Sequence, residues 1–299
     1  MAAPDLRTAR AGAIVAAAAA RLRDAGSPSP RLDAELLVAH ALGRDRAWLM
    51  AHPEATLEPD AADAVAGWVE RRATGEPVAY LRGHKEWFSL RVTTDARALI
   101  PRPETELLAE SAIAEIADRL TRDDAHVVAW DAATGGGAVA LALALRFRAA
   151  LALGRLELVA SDLSPDALEL AAENLAQHGV ADLVSLACAD LLEPAGSSLP
   201  APDVVVVNPP YLTTAEVDRG SGSIAHEPRM ALDGGLDGLD VIRRLLSEVG
   251  SRAATGATVL VEIGDGQADA VSAMAPEGAS VMTEIDLAGV ERVIRIDMP

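Results

Sequence analysis

Four residues, Asn208-Pro209-Pro210-Tyr211, follow a run of four valines, Val204 to Val207. The β-branched valines are typical of a buried strand, and the two prolines end it because neither can donate a ladder hydrogen bond. The prolines also stiffen the backbone, so the Asn208 side-chain oxygen and the Pro209 carbonyl would form two rigid hydrogen-bond acceptors. Such a pair suits a ligand with an NH2 group. Tyr211 can pack on a planar group of that kind and help to exclude water.

A glycine-rich turn follows an earlier predicted strand, His126–Asp131, and precedes the predicted helix AVALALALRF. Its candidate binding residues are Asp131, Ala133, Thr134, Gly135, Gly136 and Gly137. Glycines in such a turn let the backbone approach a ligand and let the helix begin close to the sheet. Taken alone, the same pattern is compatible with a tight turn that binds nothing.

Acidic residues follow the next two predicted strands. Asp162 ends the second strand, and Ser164 and Pro165 then favour the start of a helix. An acid at this place can accept hydrogen bonds from both ribose hydroxyls of a nucleoside cofactor. Asp190 and Leu191 follow the third strand, where an acid could accept from an adenine amino group and an apolar side chain could pack on the ring. Together with the glycine-rich turn, these positions predict a nucleoside-binding site.

The elements that position these residues alternate between strand and helix from about residue 125 onward. The predicted strands are His126–Asp131, Leu156–Asp162, Val184–Ala187, Asp203–Asn208, Thr258–Gly264, Ala279–Asp286 and Arg292–Asp297. Strands separated by helical stretches predict a doubly wound, mostly parallel α/β sheet, which binds ligands at the carboxyl ends of its strands. The last two strands lie too close together for an intervening helix, so one antiparallel strand is expected at the end.

The first part of the chain has a different pattern. Residues 1–77 carry apolar residues at helical spacing and predict a small all-α domain. Residues 78–99 are predicted as a β-hairpin connector, and residues 100–299 as the α/β domain. The start MAAPDLRTAR lacks the features of a signal peptide, and the run Ala16–Ala20 is followed at once by arginines, so it cannot span a membrane. We therefore expect a cytoplasmic protein.

Composition and charge exclude several classes of function. The net charge of −19 argues against free duplex nucleic acid as a partner, because phosphate contacts dominate that affinity. Residues 1–90 carry 11 basic and 12 acidic side chains, whereas the remainder carries 15 and 33. The single cysteine, Cys188, excludes an intramolecular disulfide and a multi-cysteine zinc site, and its apolar surroundings predict a core position. The six histidines show no metal-binding spacing, so no metal is expected.

The motifs carry a resemblance to a known family. The glycine-rich turn, the acids after strands two and three and the NPPY sequence together resemble class I S-adenosylmethionine-dependent methyltransferases. The segments GEPVAYLRG, ALIPRPETELLAE, HEPRMALDGGLDGLD, LVEIGDGQ and DLAGVERV resemble the release factor glutamine N5-methyltransferases of the HemK/PrmC type. The combination of RPETE with NPPY is the specific part, and the resemblance covers nearly the whole chain.

The resemblance implies a Rossmann-like, seven-stranded sheet and transfer of a methyl group from S-adenosylmethionine to a glutamine side-chain amide. The substrate would be the Gly-Gly-Gln loop of a peptide chain release factor. Asn208, Pro209, Pro210 and Tyr211 would hold the amide nitrogen, with Asn208 also beside the cofactor.

The RPETE segment, with Arg102 and Glu104, would flank the pocket, although helix-terminus electrostatics would explain its glutamates equally well. The Ser/Gly-rich loop before His226 would border the site. We expect the helical domain to dock the substrate protein, and the enzyme to be a monomer.

The turn departs from the family pattern Asp-x-Gly-x-Gly-x-Gly at two positions. Ala133 replaces the first glycine, and Gly136 occupies a position usually held by Ser or Thr. If position 133 requires positive φ, alanine costs roughly 1–2 kcal/mol there. Two alternatives to the leading interpretation stay open, and the departure at Ala133 motivates the second of them. One is an amino-methyltransferase that acts on adenine in DNA or RNA, which NPPY permits but the negative charge disfavours. The other is a cofactor-binding module that has lost catalysis.

Overall fold

The computed structural model describes residues 10–122, 126–194, 199–220 and 222–299. The chain divides into two compact units. The first runs up to His84 and includes the separate segment Gly220–His226, and the second comprises Lys85–Arg219 and Glu227–Pro299. The sequence start used to argue against a signal peptide falls largely on residues 1–9, outside the described part. No helix among the described residues is both long enough and apolar enough to cross a membrane.

The first unit is helical, as the apolar spacing predicts. Its helices are α1 (Ala11–Asp24), α2 (Pro30–Ala41), α3 (Arg46–Ala51), α4 (Pro59–Ala73) and α5 (Val78–Arg82). Small and branched apolar side chains from all five form one core, with Ile14, Leu37 and Val65 fully buried. Helix α3 has only six residues, too few for its own periodicity to distinguish a helix from a turn.

The hairpin connector begins later than expected. Val78–Arg82 form helix α5 instead of a strand, because Leu81 packs into the helical core and Gly83, at φ 70°, ends the helix in a left-handed conformation. The hairpin itself consists only of β1 (His84–Trp87) and β2 (Leu90–Thr93).

The second unit contains a large sheet. Its strands are β3 (Val127–Ala132), β4 (Leu156–Asp162), β5 (Ser185–Asp190), β6 (Glu193–Pro194), β7 (Val204–Val207), β8 (Thr258–Glu262), β9 (Ser280–Ile285) and β10 (Glu291–Asp297). The order across the sheet is β6-β5-β4-β3-β7-β8-β10-β9. β5, β4, β3, β7 and β8 are parallel, and β10 pairs antiparallel with both β8 and β9. The seven predicted strands and the antiparallel final strand are confirmed, and the two-residue β6 is an addition at the edge.

Helices cover both faces of this sheet. They are α6 (Thr105–Leu120), α7 (Ala138–Arg146), α8 (Arg148–Ala152), α9 (Pro165–Gln177), α10 (Thr214–Asp218), α11 (Asp240–Arg252) and α12 (Ala268–Ser272). One core packs α6, α7, α8 and α9 against one face, and a second core packs α11 and α12 against the other. The valines Val204–Val207 are fully buried between the two layers, as expected for a central strand of a doubly wound sheet.

The prediction that Cys188 lies in the core is wrong, since its side chain is exposed. Strand β5 lies next to the edge of the sheet, where its outer neighbour β6 contributes only the pairs formed by Ala189 and Asp190. Ser185 and Leu186 are exposed on the same strand. An apolar run therefore indicated a strand here but not its burial, which depends on what covers that part of the sheet.

Candidate active site

Asn208 follows β7 directly and has two differently placed amide atoms. Its Nδ2 donates a hydrogen bond to the Thr105 hydroxyl at 3.1 Å. Its Oδ1 is buried and has no hydrogen-bond partner among the described residues. Leaving a buried acceptor unpaired costs roughly 1–3 kcal/mol, so such an atom calls for a functional explanation. Asn208 lines a cavity in the second unit, and its oxygen is a candidate acceptor for a bound ligand.

Tyr211, three residues after Asn208, contacts Glu262 at the end of β8. The Tyr211 hydroxyl is 3.4 Å from Glu262 Oε1. Burial, reinforced by the neighbouring Glu262 charge, raises the pKa of Tyr211 to about 12. Burial also raises the pKa of Glu262 from 4.5 to about 7, while hydrogen bonds from the Thr105 and Tyr211 hydroxyls oppose this rise. Tyr211 therefore keeps its proton at neutral pH and acts as a donor or packing group.

The backbone after Asn208 is fixed by close contacts with the loop 232–238. Leu212 N donates to the Leu232 carbonyl at 3.0 Å, and Gly234 N donates to the Leu212 carbonyl at 2.8 Å. A Cβ at Gly234 would come within 2.6 Å of the Pro210 carbonyl oxygen, so only glycine permits this approach. The segment DGGLDG, residues 233–238, therefore packs against the NPPY turn and fixes its backbone. We call this segment the glycine clamp.

The glycine-rich turn adopts the conformation that its sequence predicts. Ala133 has φ 54°, Gly135 φ 55° and Gly137 φ 77°, all in the left-handed region. Asp131 is buried, and its Oδ2 accepts from the Thr134 hydroxyl at 2.5 Å and from Ala140 N at 2.9 Å. Desolvation raises the pKa of Asp131 to about 7. Asp131 therefore braces the turn internally.

Asp162 connects β4 to the same turn. Its Oδ2 accepts from Gly135 N at 2.8 Å, and its Oδ1 accepts from Ser164 N at 2.8 Å. Ser164 caps α9 by accepting from Ala167 N, and Pro165 occupies the first turn, as predicted. Burial raises the pKa of Asp162, although backbone hydrogen bonds favour its charged form. Each carboxylate oxygen keeps capacity for a further donor such as a ribose hydroxyl.

Asp190 and Leu191 follow β5 at the same edge of the sheet. Asp190 Oδ2 lies 2.7 Å from Arg244 Nη2 of α11, a contact that the sequence did not indicate. Leu191 is buried and has φ 57°, an unusual conformation for a leucine. The strained backbone aims this apolar side chain into the cavity, as a ring-packing residue requires.

Most of the predicted site residues line one cavity of about 310 Å³. Of the predicted site residues, the lining includes Asp131, Ala133, Thr134, Gly135, Gly136, Asp162, Asp190, Leu191, Asn208 and Pro210. Gly137, Pro209 and Tyr211 belong to the same turns but do not line it. The cavity also includes residues that were not predicted, among them Arg97, Ala98, Thr105, Leu170 and Arg244. Among the described residues, no group of histidine, cysteine or acidic side chains could hold a metal ion.

Arg102 and Glu104 lie next to the cavity without lining it, whereas Pro101 and Thr105 of the same segment do line it. Arg102 Nη2 donates to Glu227 Oε1 at 2.6 Å. The predicted pocket role of Arg102 and Glu104 stays a prediction. Of the Ser/Gly-rich loop before His226, Ser221 lies outside the described residues, and Gly222–His226 form a 3-10 helix.

Two residues that the sequence analysis missed are Thr105 and Glu262, which contact the Asn208 and Tyr211 side chains. Both lie inside segments that resemble the family, RPETE and LVEIGDGQ. A stronger signal for Glu262 was its position inside the largely apolar predicted strand Thr258–Gly264, where a buried acid needs a reason.

Comparison with known proteins identifies relatives of the whole chain. Residues 13–83 match the family model of the PrmC N-terminal domain. The chain is 40% identical over 279 residues to a release factor glutamine methyltransferase of Deinococcus radiodurans, covering 93% of this chain and 95% of the relative. It is 39% identical over 256 residues to that of Moorella thermoacetica, covering 85% and 86%.

A solved structure, the hMettl16 catalytic domain in complex with MAT2A 3'UTR hairpin 6, has the same fold. It aligns with a TM-score of 0.51 at 13% identity and covers 77% of this chain and 82% of its own. With a methyltransferase fold and relatives of this identity over most of its length, the chain belongs to the release factor glutamine methyltransferase family.

Proposed function

We propose that this protein transfers a methyl group from S-adenosylmethionine to the side-chain amide nitrogen of the glutamine in the Gly-Gly-Gln loop of peptide chain release factors. The observation that carries this proposal is the buried, unpaired Oδ1 of Asn208 at the cavity. An acceptor that no described protein group satisfies matches the N–H of a substrate amide. The names of the relatives supply the substrate class.

A carboxamide nitrogen is a poor nucleophile because its lone pair is delocalised into the carbonyl. In this proposal Asn208 Oδ1 and the Pro209 carbonyl each accept a hydrogen bond from the glutamine NH2. These fixed acceptors hold the nitrogen in a reactive orientation and stabilise the positive charge that develops on it. The prolines and the glycine clamp limit movement of the acceptors, so little reorganisation accompanies the reaction.

Once the nitrogen is alkylated its N–H is strongly acidic and the proton passes to solvent water, so the site needs no strong base. Tyr211 retains its own proton at neutral pH because its pKa is about 12. We assign it to packing on the planar amide and to excluding water, with its hydroxyl directed to Glu262.

The cavity residues fit the cofactor. Asp162 can accept from the ribose hydroxyls, Asp190 from an adenine amino group, and Leu191 can pack on the adenine ring. The turn Ala133–Gly136 lines the cavity with side chains no larger than threonine. When bound, S-adenosylmethionine supplies an electrophilic methyl group. Asp131 supports the turn that would hold the cofactor, because its carboxylate accepts hydrogen bonds from the Thr134 hydroxyl and Ala140 N.

The remaining assignments rest on this activity. We propose that residues 1–77 dock the substrate protein and that residues 100–299 form the catalytic domain. Residues 78–99 would connect these two domains. The nearly balanced charge of residues 1–90 supports docking, because the strongly acidic remainder would repel an acidic partner. A release factor acts at the ribosome, so the proposed activity places the enzyme in the cytoplasm. We expect it to act as a monomer.

A labelled-methyl transfer assay tests the function. Purified protein is incubated with methyl-labelled S-adenosylmethionine and a release factor, the same factor with its loop glutamine changed to alanine, or adenine-containing DNA and RNA. Label on the intact factor alone supports the proposal. Label on nucleic acid would instead support the amino-methyltransferase alternative, and cofactor binding without transfer to any substrate would support the non-catalytic one.

A further inference from the structure

Two residues of neighbouring elements, Glu262 and Thr105, lie next to Asn208. Strands β7 and β8 are parallel and in register, with Val207 opposite Val261. The following residues, Asn208 and Glu262, therefore lie side by side at the carboxyl edge. Thr105, the first residue of α6, is buried and supplies the hydroxyl that accepts from Asn208 Nδ2 at 3.1 Å.

The direction of this hydrogen bond decides what Asn208 presents to the cavity. An asparagine amide can rotate by half a turn and exchange its oxygen and nitrogen with little change in shape. A threonine hydroxyl does not prevent the exchange by itself, because it can either donate or accept. With NH2 toward the cavity, Asn208 would oppose the NH2 of a substrate amide, donor against donor.

Glu262 removes that ambiguity. Its carboxyl is fully buried and offers Oε1 as an acceptor, while Oε2 has no hydrogen-bond partner among the described residues. The Tyr211 hydroxyl lies 3.4 Å from Oε1. The Thr105 hydroxyl is close enough to this carboxyl to lower its pKa by hydrogen bonding. A hydroxyl that donates its one hydrogen to Glu262 can only accept from Asn208. A proton taken up on Oε2 would leave Oε1 an acceptor.

We propose that Thr105 and Glu262 are positioning residues that lock the Asn208 amide with its oxygen toward the substrate nitrogen. The inference rests on the proposed function for its catalytic consequence, although the lock itself is a property of the unliganded protein. The other charged groups near Glu262 are Glu104 and Arg292, and neither can replace a hydroxyl as donor and acceptor together.

The lock can be observed without activity. The chain has only two asparagines, Asn174 and Asn208, so asparagine labelled with 15N gives two side-chain NH2 groups. Asn174 serves as an internal control, because its Nδ2 donates to the Thr93 and Gly136 carbonyls. Asn208→Ala assigns the second resonance pair. Thr105→Val and Glu262→Met should shift the Asn208 resonances and leave those of Asn174 in place, whereas Thr105→Ser and Glu262→Gln should largely preserve both.

Kinetics then test the consequence. Thr105→Val and Glu262→Met should each lower kcat roughly tenfold or more, with little change in KM for the release factor, because orientation matters most in the transition state. Thr105→Ser and Glu262→Gln should restore most of kcat. The double variant Thr105→Val/Glu262→Met should lose less kcat than the product of the two single losses, since Glu262 acts on Asn208 through Thr105.

Unmoved Asn208 resonances in Thr105→Val, or losses in kcat that multiply in the double variant, would overturn the inference. Failure of the unmodified enzyme to methylate any release factor is a different result. It would refute the proposed function, while the asparagine resonances would still decide whether the lock exists.

Discussion

Arg102 and Glu227 are 125 positions apart in the chain, yet Arg102 Nη2 lies 2.6 Å from Glu227 Oε1. The Glu227 side chain is fully buried, and its Oε2 also accepts from Ile100 N at 3.1 Å. This pair joins the RPETE segment to the loop that begins at Glu227 and continues into the glycine clamp behind the NPPY turn. Arg102 therefore has a structural role that helix-terminus electrostatics did not explain.

Replacing Arg102 with methionine should destabilise the protein by about 3 kcal/mol, because it leaves a buried carboxylate without its cation. Urea denaturation measures the change. Arg243→Met is the matched control, since it removes the two ion pairs of an arginine that is about half exposed, and it should cost much less. Equal changes in the free energy of unfolding would show that the buried Arg102–Glu227 pair stabilises the protein no more than an exposed pair does.

Ala133 is strained in its native conformation, with φ 54°. Glycine adopts this conformation freely, and the strain of alanine exceeds the extra chain entropy that glycine loses on folding. We expect Ala133→Gly to stabilise the protein by about 1 kcal/mol, and to tighten S-adenosylmethionine binding by removing a methyl group from the cavity wall. Thermal melting and calorimetric titration measure the two effects. Unchanged cofactor affinity would mean that the Ala133 methyl does not hinder the ligand.

Gly137 and Gly136 are neighbours with different constraints. Gly137 has φ 77°, and a Cβ there would lie 2.9 Å from the Ala171 Cβ. Gly136 has no positive φ, and its nearest contact would be a flexible Leu170 methyl at 3.3 Å. Gly137→Ala should cost about 3 kcal/mol, from backbone strain and overpacking, and Gly136→Ala less than about 1 kcal/mol. Denaturant midpoints of the two variants give the comparison directly, and similar losses would contradict it.

The buried carboxyl of Glu262 predicts a pH dependence of stability. Its pKa is about 7 in the folded protein against 4.5 ordinarily, so the folded state binds more protons between these values. Its stabilising contribution is fully present below pH 4.5 and is lost as the pH rises toward 7. Glu262→Gln should therefore stabilise the protein at pH 8 by on the order of 3 kcal/mol relative to its effect at pH 5. Equilibrium unfolding at both pH values tests this, and a pH-independent difference would refute the raised pKa.

Much of the scaffold could be predicted because it depends on local patterns. The valines before Asn208 and the alternation of strands with capped helices were sufficient to predict a parallel sheet and the edge where its ligand residues meet. Ser164 and Pro165 likewise marked the start of α9 correctly.

The features that sequence did not reveal depend on neighbours far along the chain. Thr105 contacts Asn208 across 103 positions, and Tyr211 meets Glu262 across 51, so no local pattern pairs them. Cys188 lies in an apolar strand next to the edge of the sheet, and its side chain is exposed there. Element type follows from local composition, whereas burial and side-chain partners follow from the assembled sheet.

The central claim is that Asn208 Oδ1 holds the glutamine nitrogen for methyl transfer. The most direct test is the single-turnover rate of release factor methylation by Asn208→Ala, with cofactor affinity measured on the same sample. We predict a loss of roughly 100-fold or more in rate, with cofactor affinity nearly unchanged, because only the transition-state interaction is removed. A rate close to that of the unmodified enzyme would contradict the claim, and would show that the unpaired oxygen has no part in the reaction.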